Sequence, residues 1–424
     1  LAYLFAPGTP AWSWQTAHGH TDNGGFADVV TAAAKAPLAT IPRLGGIGAG
    51  AGPVVAPNGT VYIGNGRGKL MSFAADGTPG WSIDLGAPIL ASPAISGEGS
   101  IYVVSTATVR DHTVTPVVRR TVTQLHKVNY AGVEIWRKAL PRVYGGLIGS
   151  APPNVWNFNG SEVVLVPSVF RQDGGLFEAH LTAFSSFGDQ LADTKVGSLF
   201  GDVTGEWGDL FTFGAPEAAP IERTVNHLPE KIIYPFPAAA IYAPAPHVEP
   251  KIFVTDGYRD VVGYTFNGDF KEFYREKLTG TFVLSAPMAW IDGHAVLSIG
   301  GGSKLPEVFF AAPAQASRIR GPYSIATPTQ LSGGRIAFVG YSGDLTVMRD
   351  GAQERFVRLP GQSMASAAAS RTHLYVSTAS ALHVFDAQSI EEVAKIDWVR
   401  GGMSPPVIGP MGHVYAIADD TLYV

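Results

Sequence analysis

One short proline-marked step recurs eight times along the 424-residue chain, and it limits the fold more than any other feature. The copies are Ala51-Gly52-Pro53, Ser92-Pro93, Ser150-Ala151-Pro152, Gly214-Ala215-Pro216, Ser285-Ala286-Pro287, Ala326-Thr327-Pro328, Ser366-Ala367-Ala368 and Ser404-Pro405-Pro406. From Pro287 onward the copies follow one another at about 40 residues, the length of a four-stranded propeller blade. Between Pro93 and Pro287 the spacing is longer.

Each step is followed by a β-branched or aromatic run, such as Val61-Tyr62-Ile63-Gly64, Ile101-Tyr102-Val103-Val104, Ile336-Ala337-Phe338-Val339 and Leu374-Tyr375-Val376-Ser377. Runs of this kind, bounded by Gly, Asn and Asp, read as strands. A third strand then enters a tight turn at Asp76-Gly77, Ala131-Gly132, Asn267-Gly268 or Asp350-Gly351. Asn-Gly and Asp-Gly supply the positive φ angles that two-residue hairpins demand. A fourth strand carries Trp81 or Trp136, and no helical period of comparable length competes. The expected fold is an all-β, eight-bladed propeller spanning residues 1–424.

The chain ends point to ring closure. Gly8-Thr9-Pro10-Ala11-Trp12-Ser13 nearly duplicates Gly77-Thr78-Pro79-Gly80-Trp81-Ser82, so the N-terminus reads as the late part of a blade. Residues 404–424 read as the early part of one. Residues 1–16 and 403–424 are therefore expected to share the closing blade, with Trp12 beside Val414-Tyr415-Ala416-Ile417. A ring closed this way leaves no free sheet edge between its first and last blades.

Composition removes several function classes. Charged residues make up 15% of the chain and the net charge is −5, which gives no general basic field for nucleic acid. No apolar run reaches the roughly 18 residues of a spanning helix, so no membrane span is expected. The chain has no Cys, which removes disulfides, thiolate catalysis and cysteine zinc sites. It opens directly in a strand-like segment, and the expectation is a periplasmic or extracellular protein whose signal peptide has been removed.

A family resemblance rests on the unit Pro53-Val54-Val55-Ala56-Pro57-Asn58-Gly59-Thr60-Val61-Tyr62-Ile63-Gly64-Asn65-Gly66-Arg67-Gly68-Lys69-Leu70, continued by Phe73-Ala74-Ala75-Asp76-Gly77-Thr78-Pro79-Gly80-Trp81. It resembles the quinoprotein-like repeat of pyrroloquinoline-quinone (PQQ) dehydrogenases and of the propeller lipoprotein of the outer-membrane β-barrel assembly machinery. The stretch from Trp12 through His18-Gly19-His20-Thr21-Asp22-Asn23-Gly24 is similar to the lead-in of many secreted bacterial members. The resemblance implies that Trp and Gly dock one blade on the next, with Trp81 and Trp136 largely buried at blade contacts. It also implies two outcomes for function, because one fold hosts unrelated activities. The first is a non-catalytic scaffold that binds a protein partner in an envelope or extracellular complex, with no cofactor. The alternative is an oxidoreductase using PQQ and calcium. The family's alcohol dehydrogenases hold the quinone under a disulfide between adjacent cysteines, which this chain lacks. Their calcium ligands are Glu, Asn and Asp near the axis, and here Glu178, Asp202, Glu206, Asp209, Asp256 and Asp260 offer carboxylates without a diagnostic spacing. A carbohydrate- or surface-binding module is a third reading.

Local motifs divide between chemistry and turn-making. His18, His20 and Asp22 alternate as a metal site on one strand face would, and equally as a polar lead-in loop does. Asp173-Gly174-Gly175 and Asp256-Gly257-Tyr258-Arg259-Asp260 suit a cation or an Asx turn. Gly300-Gly301-Gly302-Ser303-Lys304 lacks the spacing of a phosphate loop.

Departures from the period are where function is grafted onto a repeat. Residues 106–123 lengthen the connection between the second and third strands of blade two, carrying Arg110, His112, Arg119 and Arg120. Blade three has Arg171 and Asp173 at the same connection, blade four has Tyr258 and Arg259, and blade five has residues 300–307. These loops share one face and form the expected partner site. The Pro-rich insert 222–250, with Tyr242, is read as lying between the first and second strands of blade four, hence on the opposite face.

Overall fold

The computed structural model describes residues 13–48, 51–111, 118–140, 149–150, 152–171, 177–199, 224–225, 228–229, 240–242, 248–255, 260–277, 284–285, 288–300, 306–312, 315–322, 324, 326–340, 342–363, 365–398, 404–418 and 420–424. Their strands form eight small, mainly antiparallel blade sheets around an axis, an eight-bladed β-propeller, and a separate two-stranded ribbon of Thr224–Val225 and Leu228–Pro229. Blade one shows the pattern: Val54–Val55 lies innermost, then Val61–Gly64, Lys69–Phe73 and Pro79–Asp84 at the rim. The innermost strands of blades two to eight are Ala94–Ile95, Asn154–Phe158, Ala240–Tyr242, Ala289–Ile291, Thr329–Leu331, Ala368–Ser370 and Val407–Ile408. The first-to-second and third-to-fourth turns emerge on one face, here termed upper. The second-to-third turns and the blade-to-blade connections emerge on the lower face.

Turn chemistry sets the hairpins. Asp350 and Gly351 both have positive φ (50° and 77°), as do Asn159 and Gly160 (50° and 79°). At Asn58-Gly59-Thr60 the Asn58 carboxamide oxygen accepts from the Thr60 N–H at 3.0 Å, so this motif is an Asx turn.

The apolar core lies in layers between blades. One cluster joins Val54, Tyr62 and Leu70 of blade one to Ile95, Ile101 and Val103 of blade two. Another joins Val384 of blade seven, Tyr415 and Leu422 of blade eight, and Val61 and Phe73 of blade one. Second strands are therefore largely buried, Arg335–Val339 along its whole length, while rim strands such as Ala352–Arg358 are mostly exposed. Large side chains meeting a neighbour on both faces contribute about 1.5–3 kcal/mol each.

Rim tryptophans lock neighbours together. Trp81 donates its indole N–H to the Tyr130 carbonyl in the third-to-fourth turn of blade two, at 2.8 Å. Trp136 does the same to Ser186 of blade three, at 3.0 Å. Glycine admits the ring: a Cβ at Gly132 would come within 2.5 Å of Trp81. Both tryptophans are at blade contacts as expected, but they are half-buried, because the rim strand has no further strand outside it.

Closure departs from the expected boundary. The rim strand of the closing blade is Thr40–Pro42, antiparallel to Thr421–Tyr423, which in turn pairs with Val414–Ala418. Among the described residues of the 1–16 segment, Trp14 pairs instead with Val55 of blade one; Trp12 lies outside the described residues. Ile41 now takes the place of the rim tryptophan, since a Cβ at Gly77 of blade one would meet its Cδ1 at 2.7 Å. Pro42 is tolerated because its strand is an edge.

The Pro-rich insert is also corrected. Its residues Ala240–Tyr242 are the innermost strand of blade four and pair directly with Lys251–Thr255. The long connection thus runs from the rim strand of blade three, Gln190–Leu199, to Ala240, and both its ends open on the lower face.

The docking geometry predicts a specific pair of stabilities. Gly132→Ala and Gly99→Ala both place Cβ at positive φ, but nothing lies within 4 Å of a Cβ at Gly99. Gly132→Ala is expected to cost about 1–3 kcal/mol more in chemical denaturation. Equal losses would show that Trp81 is not pinned by the blade-two turn.

Candidate functional site

The innermost strand of each blade has one paired edge and one edge turned to the ring axis. Buried backbone N–H groups on such an edge need acceptors. The chain supplies them from its own residues 14–25. Trp14 exchanges two bonds with Val55 of blade one, at 2.9 and 2.8 Å. The Gln15 carbonyl accepts from Ile95 of blade two at 2.8 Å. The Thr21 carbonyl accepts from the Asn154 side chain of blade three at 2.9 Å and from the Ile241 N–H of blade four at 2.8 Å. Asp22, Gly24 and Gly25 then accept from Trp290, Gln330 and Ala369 of blades five, six and seven, at 2.7, 2.7 and 2.9 Å. Order along the segment follows order around the ring.

The segment is a chain of turns, so His18, His20 and Asp22 do not share a strand face. Thr16 N–H donates to the Gly19 carbonyl, Asn23 N–H to His20 and Gly25 N–H to His18. Gly19, Asn23 and Gly25 take φ of 100°, 58° and 63°. Phe26–Ala27 then pairs in parallel with the inner strand of blade seven. The chain leaves over the upper face, where Thr31 meets Ser370 at 2.8 Å and Tyr375 donates to the Ala32 carbonyl at 3.1 Å. It next supplies the closing strand.

Burial sets the titration of this segment. Its desolvation lowers His18 to about 4, and among the described residues the His18 Nδ1 has no hydrogen-bond partner. Burial also lowers His20, against the opposing charge of Asp22. Burial raises Asp22, against the Gly24 N–H that its carboxylate accepts at 3.0 Å. Among the described residues no cluster of three or more His, Asp or Glu is arranged to hold a metal ion.

The residues present do not fit a quinone seated on the axis, because residues 14–25 hold that position. Two of the proposed calcium carboxylates are also engaged elsewhere. Glu178 is ion-paired with Lys195 in blade three, and Asp260 accepts from Arg275 in blade four at 2.8 Å. Asp202, Glu206, Asp209 and Asp256 lie outside the described residues.

Two polar relays escaped the sequence reading. In blade two, Ser105 Oγ meets His126 Nε2 at 2.7 Å and His126 Nδ1 meets Glu134 at 2.7 Å. In blade seven, Thr378, His383 and Glu392 repeat the arrangement at 3.3 and 2.7 Å. The order hydroxyl, imidazole, carboxylate is that of a hydrolase triad. Here Ser105, Thr378 and both histidines are buried and the unit recurs at equivalent strand positions, so it braces each blade. The signal lay in Leu125-His126 and Leu382-His383, each followed by Glu eight or nine residues on.

The expected partner residues fall into three groups. Residues 106–111 and 118–123 are not a loop: they extend the two central strands of blade two, with Arg110 opposite Arg119 and Val109 opposite Arg120. Blade three is lengthened likewise, with Arg171 opposite Phe177 at the end of its strand pair. These positions lie on the lower face. Tyr242 is at the upper end of blade four, stacked on Trp290 at 4.9 Å, and so stands apart from them. His112, Asp173, Tyr258 and Arg259 lie outside the described residues.

Residues 4–148 match the family model described as outer membrane protein assembly factor BamB. The chain is similar to PQQ-like repeat propellers of the BamB kind. The match to the BamB model covers the axial segment and the first two blades. BamB from Moraxella catarrhalis superposes with a TM-score of 0.54 at 10% identity, covering 91% of this chain and 95% of that one. Saccharomyces cerevisiae Sqt1 gives 0.54 at 10% identity, covering 90% and 95%. The Dos1 propeller gives 0.51 at 10%, covering 91% and 93%. At such identities these likenesses, BamB included, speak for the fold. No curated protein matches the chain in sequence.

His18 yields a pH prediction. Its native-state value, lowered to about 4 from 6.5, means that stability present above pH 6.5 is lost as pH falls toward 4. The loss from this group amounts to about 3 kcal/mol over that window. His20 acts in the same direction and Asp22 in the opposite one. Denaturant titrations from pH 7 to 4 are expected to show a flatter acid limb in His18→Asn; an unchanged limb would contradict the assignment.

Proposed function

We propose that the chain is a non-catalytic binding propeller that works outside the cytoplasm as a scaffold for a protein partner, with its contacts on the lower face. The observation carrying this reading is the filled axis. A ring whose centre is occupied by its own backbone offers its faces and rim. Likeness to BamB-type propellers supports a protein-interaction role and an envelope or extracellular setting. Among the described residues no helix is long and apolar enough to cross a membrane.

The lower face is favoured because two adjacent blades lengthen their strands there. Each strand from Ile101–Asp111, Val118–Val128 and Ser161–Arg171 runs eleven residues, against four or five for the equivalent Val61–Gly64 and Lys69–Phe73. Ordering that extra chain costs about 1–2 kcal/mol per residue in backbone entropy, which a closed ring does not require. Arg110 and Arg119 are held directly opposite by register. Like charges in such pairs are destabilising, so an acidic partner surface relieves them. Arg120, Arg171, His112, Asp173, Tyr258 and Arg259 complete the proposed contact set, and arginine and tyrosine are enriched at interaction hot spots. No cofactor belongs to this reading.

Two variants separate the faces. Arg119→Glu with Arg120→Glu is expected to leave the melting temperature unchanged or raised and to weaken partner capture from envelope extract about tenfold or more. Phe187→Asp, at the exposed upper-face turn of blade three, is expected to leave capture intact. Capture that survives the arginine reversals and fails with Phe187→Asp would move the site to the upper face.

A further inference from the structure

We propose that the ring axis is a peptide-binding site, one that accepts a turn-forming glycine-rich segment in trans, and that residues 14–27 are its built-in occupant. Recognition is almost entirely by main chain. The donors in blades one, two, four, five, six and seven are N–H groups of the equivalent residue, the second of each inner strand: Val55, Ile95, Ile241, Trp290, Gln330 and Ala369. They are fixed by the blades and exist whatever lies between them. Blade three contributes a side-chain amide instead, from Asn154. Asn23 returns a bond to the Met288 carbonyl at 3.3 Å.

This pattern defines the ligand chemistry. The occupant must present successive carbonyls around a circle, which an L-residue backbone does only with left-handed steps. Gly19, Asn23 and Gly25 supply them. It must also be thin at its end, since a Cβ at Gly25 would lie 3.3 Å from both the Ala367 carbonyl and Thr329. The matching class is a short polypeptide with glycine at these steps. The covalent link to the ring is not part of the site: residues 34–36 are exposed and irregular, and the closing strand begins only at Thr40. Exchange of the occupant therefore leaves the ring closed.

The test uses the full chain with a protease recognition sequence inserted at Lys35, cut after folding. The released N-terminal fragment is expected to co-elute with the ring on gel filtration. Excess synthetic peptide of residues 13–27 is expected to chase it off, and a labelled copy to take its place. The same peptide with Gly25→Val is expected to compete about tenfold more weakly or worse, because valine resists positive φ. Prompt loss of the fragment on cleavage, with the melting curve of the ring unchanged, would overturn the proposal. So would equal competition by the two peptides.

Discussion

The inward edge of each blade's first strand must find hydrogen-bond partners, and much of the architecture follows from how this chain meets that need. Unpaired edge groups invite either water or another strand. Here residues 14–25 take the position, contacting blade after blade in ring order. A segment held at the axis has to leave it to reach the rim. It does so between blades seven and eight, over the upper face, and arrives at the rim of the one blade that lacks a fourth strand. Axial filling and ring closure are thus consecutive parts of one stretch of chain, and the closing strand falls at Thr40–Pro42 for that reason.

Blade-to-blade contacts supply the rest of the cohesion. The apolar layers are shared pairwise, and the rim side chains Trp81, Trp136 and Ile41 each settle on a glycine turn of the next blade. The Ser105–His126–Glu134 and Thr378–His383–Glu392 relays satisfy buried hydroxyl and imidazole groups inside single blades. With core and relays committed to holding the ring and the axis occupied by residues 14–25, a folded partner meets the chain at its faces and rim. That is the physical basis for reading the chain as a scaffold.

The blades were legible in the sequence because their signals are local: Asp-Gly and Asn-Gly turns, and second strands that are largely apolar. The axial segment was not, because its bonds are made by backbone carbonyls and leave no side-chain signature beyond glycine content. His18-Gly19-His20-Thr21-Asp22-Asn23-Gly24 reads as a polar loop, and its burial arises only once the blades surround it. The closing strand is three residues with one apolar side chain, too short for any period. In blade four, Ala240–Tyr242 was hidden among prolines, which shifted the register by a strand. In blade two the irregularity was visible at the right place, but strand extension and loop insertion look alike when Thr and Val alternate.

The axial segment also reorders assembly relative to synthesis. Its acceptors, Trp14 to Gly25, leave the ribosome before any blade, yet the last of their donors, Ala369, follows about 350 residues later. The earlier-made segment must wait unpaired for the later-made blades. In solenoid-like repeats each unit senses only its neighbours, and a partial array is stable in itself. This segment instead touches blades one to seven together, so a ring with a blade missing, or one too many, presents a set of donors that its carbonyls do not match. Residues 14–25 thereby act as a gauge of blade number, scoring the finished ring as a whole.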